Sequence, residues 1–235
     1  MQAFRDLDRV LRGDAKPGDA GVTVALAPLL RINVALAASY GVCTGVYGLC
    51  WPDGAEWRQM ASAAVKVPAL FLLTLAVTFP SLYVFNTLLG SRLRLGELAR
   101  LVLAALSVLV AVLSAFGPIT AFFSVTTVSY PFVVLLNVTV FAVSGAFGLG
   151  ALHKALRDLS RTRVVEEKTL AATGGPGHRV IYAWMLLFSL VGGQMAWVLR
   201  PFIGSPEMPF AWLRPREGSF FEGVARAAKQ LLGLG

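Results

Sequence analysis

Apolar residues along this chain gather in long blocks separated by short basic segments. That pattern differs from the alternating faces of a soluble fold, and a helix needs about 20 apolar residues to cross a bilayer. Five blocks qualify, at about residues 24–50, 61–89, 99–116, 132–152 and 180–199. They predict an all-α integral membrane protein: a bundle of five transmembrane helices over residues 22–200. The third and fourth blocks are joined by Gly117–Pro131, which carries no charge and reads as a shallow turn. The segment Ala171–Arg179, "AATGGPGHR", reads as a linker, because its glycines and Pro176 cannot hold a helix. It lacks the lysine and hydroxyl residue of a phosphate loop.

Two flanking pieces have helical rather than spanning patterns. Phe4, Leu7, Val10 and Leu11 recur at helical spacing, with Arg5, Arg9 and Arg12 on other faces and Gly13 as a stop. Ser219 and Glu222 have the spacing of a capping box. After it, Phe220, Phe221, Val224, Ala228 and Leu231 form a stripe that leaves out Arg226 and Lys229. The expectation is an amphipathic N-terminal tail, residues 1–21, and an outer tail, residues 201–235, with its own amphipathic helix. Both helices would lie in the headgroup plane or pack on a partner subunit.

Composition strengthens the membrane reading. Of 235 residues, 56% are hydrophobic and 14% charged, against about 25% charged in soluble domains. The formal charge of +8 raises nucleic acid as a partner. Yet Lys and Arg sit between the apolar blocks, where membrane proteins keep their topology signals, so no nucleic acid is expected. Thirteen basic residues fall on the side of the N-terminus and six on the other. The N-terminus is therefore expected in the cytoplasm and the C-terminus outside. No cleavable signal peptide is evident in the first twenty residues. Cys43 and Cys50, seven apart on one apparent helix, are spaced too far for an internal disulfide unless that helix ends before Cys50.

Polar residues within the blocks are the candidates for function. A charge at the bilayer centre costs about 2.5–3.5 kcal/mol or more. Arg31, Lys66 and Arg200 all lie toward span ends, where long side chains can snorkel to the headgroups. Alternatively, Lys66 and Arg200 form a site for an anion or a lipid phosphate. Ser124, Thr126, Thr127 and Ser129 make a hydroxyl-rich patch that could line an outer vestibule. Pro68 lies near the start of the second span. Pro80 lies mid-span, frees the Ala76 carbonyl, and is a candidate hinge. Gly41, Gly45 and Gly48, then Gly145, Gly148 and Gly150, point to close helix packing, and Gly192–Gly193 interrupt the fifth span. Asn33, Asn86, Asn137 and Gln194 suit bonds between helices.

Catalysis has little support. His153 and His178 lie in the predicted cytoplasmic loop, and no span holds a nucleophile beside a base or a carboxylate pair. No enzyme activity, cofactor or metal is expected.

The second span, "KVPALFLLTLAVTFPSLYVFNTLLGSRL", resembles the corresponding region of the Yip-type five-span membrane proteins and their bacterial relatives. In those, a basic residue and a proline open the second span and a polar-aromatic segment closes it. The span count, cytoplasmic N-terminus and outer C-terminus are similar too. The resemblance implies a bacterial cytoplasmic membrane protein, and it implies no catalytic residue. This chain departs from the eukaryotic pattern by lacking a long cytoplasmic N-terminal region and by adding an outer tail. Two functions follow as expectations. One is an oligomeric pore or conduction path, with anions suggested by the basic residues. The other is a non-conducting scaffold or accessory subunit that binds lipids or other membrane proteins.

Overall fold

The computed structural model describes residues 26–49, 57–88, 95–166, 177–204, 210–215 and 218–233. The expected N-terminal helix, Cys50 and most of the 171–179 linker lie outside these residues. Within them the chain is helical. Helix α1 is Leu26–Gly45, followed by a 3-10 turn, Val46–Leu49. Helix α2 is Trp57–Leu88, α3 Leu95–Ala115, α4 Gly117–Thr126 and α5 Tyr130–Glu166. Helix α6 is Gly177–Val198 and α7 Phe220–Leu231.

Four helical stretches are long and apolar enough to cross a membrane: Leu26–Leu49, Trp57–Val84, Leu95–Thr126 and Tyr130–Ala155. The chain is a multi-pass membrane protein. The fifth expected span is a helix whose described apolar part, Ala183–Val198, is shorter than those four.

The charge-free link is not a turn. Gly117–Thr126 is a helix that continues α3, and Thr127–Ser129 alone separate it from α5. Pro118 explains both the break and the restart. Its missing N–H ends the α3 ladder, and its fixed φ suits the first turn of a new helix. The second span also begins earlier than expected, at Trp57. Pro68 is therefore well inside α2 rather than near its start, and it is buried.

Polarity is arranged for lipid. Leu73, Val77, Val84, Phe122, Phe147 and Leu186 are exposed. Asn33, Thr44, Ser62, Ser107, Asn137 and Ser144 are buried. Apolar burial drives association weakly when the solvent is hydrocarbon, so close approach and polar bonds must hold the helices. Both are present. A Cβ on Gly41 would come within 2.8 Å of the Ala64 Cα, and one on Gly45 would meet the Met60 backbone. Gly148 does the same for α5 and α3, where a Cβ would sit 2.7 Å from the Leu109 Cβ. Asn33 Nδ2 donates to the Leu103 carbonyl (3.3 Å), and Tyr40 Oη donates to Asn137 Oδ1 (2.9 Å). Trp184 on α6 is buried and donates to the Thr78 carbonyl of α2 (3.1 Å).

The segment after α6 folds back onto the bundle. Gln59 Nε2 donates to the carbonyls of Pro201 (3.2 Å) and Phe202 (3.0 Å). Ile203 joins Tyr47 and Val133 in a small core cluster. The end of α1, the start of α2, the start of α5 and the end of α6 thus meet at one end of the bundle. Residues 201–204, expected in a separate outer tail, close that end.

Candidate functional site

A cavity of about 1040 Å³ opens between α2, α5 and α6, with α7 against it. Its walls follow from the helices' small residues. No atom lies within 4 Å of where a Gly145 Cβ would be, and Gly192 meets only the Thr74 methyl, at 3.7 Å. Gly145 is thus a wall of open space, not a packing contact like Gly148. On the far side Gly193 approaches the Phe220 ring, and Gly223 of α7 lies against the Trp197 ring. Helix α7 is held there by its N-terminus. The expected capping box is formed, with Ser219 and Glu222 satisfying each other's backbone N–H groups. Gly218 just before it has φ +71°, a left-handed turn that glycine adopts without strain. Its carbonyl accepts from Trp197 Nε1 (3.1 Å).

The lining changes along its length. At the end where α6 stops it includes Arg200, Arg214 and Tyr130, and Arg226 of α7 is elsewhere among its lining residues, exposed. Toward the other end it includes Leu149, Phe188, Leu109 and Ala146. Phe188 lies twelve residues before Arg200, about 18 Å of helix. The leaflet of a bilayer is about 15 Å deep, half the ~30 Å hydrocarbon core. No acidic residue lines the cavity among the described residues.

Arg200 is positioned by three neighbours. Its guanidinium lies 3.8 Å from the Trp197 ring centroid, and Nη2 donates to the Pro215 carbonyl (2.6 Å). Its carbonyl accepts from the Arg214 N–H (3.3 Å), which brings the two arginines together. Arg200 Nε is buried without a hydrogen-bond partner. Arg214 lies within electrostatic range of both Tyr130 and Lys66.

The residues singled out by sequence separate. Lys66 neither snorkels nor lines the cavity. It is 5% exposed, donates to the Pro201 carbonyl (2.9 Å), and lies 5.5 Å from the Trp212 ring centroid. The physical reason is the fold-back: the segment after α6 delivers a carbonyl and an aromatic face to a lysine that would otherwise meet lipid. Arg200 does line the cavity. Arg31 is exposed on α1, away from it. Ser124 is buried with an unpartnered hydroxyl. Thr126 is exposed and bonds the Phe122 carbonyl (2.9 Å), and Thr127 accepts from the Ser129 N–H (3.3 Å). None of these three lines the cavity. Pro80 is exposed on α2, which stays helical through it, and Thr78 bonds the Thr74 carbonyl (2.8 Å) rather than Ala76. Gly48 packs against Gly204, whose Cβ would be 3.3 Å from the Gly48 Cα. Asn33 and Asn137 tie helices, whereas Gln194 is exposed.

Sequence reasoning missed Arg214, Arg226 and Tyr130. No local signal marks them, because their place beside the cavity depends on the fold-back of the segment after α6. Compared with protein-family models, curated proteins and solved structures, the chain matches none.

Proposed function

We propose that this protein binds a membrane lipid, taking its apolar chains into the cavity between α2, α5 and α6. The observation that carries the reading is the graded lining, basic at one end and hydrocarbon at the other over about 18 Å of helix. Its volume reaches the top of the roughly 300–1,000 Å³ range of small-molecule sites, enough for long chains. The protein is then a non-conducting, non-enzymatic lipid-binding scaffold or accessory subunit. Of the residues that motivated a conducting pore, Arg200 alone lines the cavity. Helix α6 runs beside α2 and serves as the fifth crossing in this reading. That keeps the N-terminus in the cytoplasm of a bacterial cell and the arginines at the outer leaflet, in accord with the basic-residue count. We infer kinship with the Yip-type proteins from the second span, together with the span count and orientation of this reading.

Extraction of bound lipids from protein purified in mild detergent tests the reading. The expected result is at least one lipid retained per chain through detergent exchange, together with silent planar-bilayer recordings. Protein that stays folded and holds no lipid, or that conducts, would overturn it.

A further inference from the structure

The apolar walls of the cavity accept any long chain, but its basic end does not treat all headgroups alike. Arg200, Arg214 and Arg226 line it, and no carboxylate does among the described residues. Two like charges, Arg200 and Arg214, side by side at an apolar cleft are unfavourable without an anion. Arg200 is also prepared to hold one. The Trp197 ring and the Pro215 carbonyl fix its plane, yet among the described residues one of its five N–H groups has a protein acceptor. Its buried Nε has no hydrogen-bond partner among the described residues. The backbone bond between Arg214 and Arg200 brings the two residues together, and both lie within electrostatic range of Tyr130. Gly223 packs on Trp197, and Arg226 lies three residues on, on the same face of α7.

We propose that Arg200 and Arg214, with Arg226 from α7, form a headgroup site for the phosphate of an anionic phospholipid. This deepens the lipid-binding reading and rests on it. Phosphate is the chemistry that fits. A guanidinium offers a planar fork that two phosphate oxygens match, and its delocalised charge is more weakly hydrated than an ammonium. The chains bring the phosphate to the arginines, so the source is a lipid and not free phosphate. Helix α7 contributes Phe220 and Val224 to the apolar wall and adds Arg226 to the lining. Its seating is thereby coupled to the headgroup.

The test uses the full chain in detergent, titrated with phosphatidylglycerol and with diacylglycerol of the same acyl chains, with bound lipid per chain read by native mass spectrometry. Wild type is expected to prefer phosphatidylglycerol by roughly tenfold or more, as for charge-assisted hydrogen bonds. R214Q, whose side chain has no described bond to lose, is expected to abolish most of that preference, lowering phosphatidylglycerol binding far more than diacylglycerol binding. R200Q should do the same more strongly, and R200K should restore part of it. Millimolar inorganic phosphate should not displace the lipid. Equal binding of the two lipids by wild type would overturn the headgroup site and leave the lipid-binding reading standing. Failure to bind either lipid would overturn both. Complete displacement by inorganic phosphate, or an unchanged preference in R214Q and R200Q, would also overturn the headgroup site.

Discussion

Two halves of this bundle use the same small residues to opposite ends. Where α1 crosses α2, Gly41 and Gly45 let backbone touch backbone, and Tyr40 and Asn137 tie α1 to α5. Between α5 and α6, Gly145 and Gly192 face open space or a single methyl. In the first half the missing side chain is filled by a neighbouring helix. In the second it enlarges a cavity, which α7 flanks. A glycine in a membrane helix therefore marks either a contact or a vacancy, and the partner decides which.

Substitution at the two kinds of glycine separates them. Leucine at Gly41 must displace the α2 backbone and is expected to cost about 3 kcal/mol or more, seen as loss of folded protein in a detergent melt. Leucine at Gly145 enters open space, so the melt should barely move while lipid retention falls. Equal damage at both sites would erase the distinction between the halves. A smaller effect is expected at the edge of the cavity. S219A removes half of the capping box and should cost about 1 kcal/mol in the seating of α7. Limited proteolysis should then cut α7 faster while α1 and α2 stay protected.

What could be read in the chain followed from local chemistry. Hydropathy is a property of contiguous residues, so the apolar blocks and the helices they form were visible. The Ser219–Glu222 capping box spans three residues and was equally visible. Lys66 was not, because its partner, the Pro201 carbonyl, is 135 residues away. Nothing near Lys66 tells a fold-back from a headgroup. Gly145 and Gly148 look alike in sequence, and their difference lies in the distance from α5 to α6 as against α3. The helix at Gly117–Thr126 was hidden by Gly117 and Pro118, which usually signal a turn. Here they stop one helix and start the next. Arg214 and Arg226 lay in a tail read as separate from the bundle, so the meeting of Arg214 with Arg200 and the place of Arg226 in the cavity lining depend on a fold-back that no local pattern announces.

The central claim is that the α2–α5–α6 cavity holds lipid chains. A phospholipid with a photoactivatable group near its chain end, added to the reconstituted full-length protein and mapped by peptide mass spectrometry, tests it most directly. Cross-links are expected on Phe141–Leu149 of α5 and Phe188–Trp197 of α6, which line the cavity, and they should diminish when Gly145 is leucine. Cross-links confined to outward residues such as Leu73, Val77 and Val84, unchanged by that substitution, would contradict it.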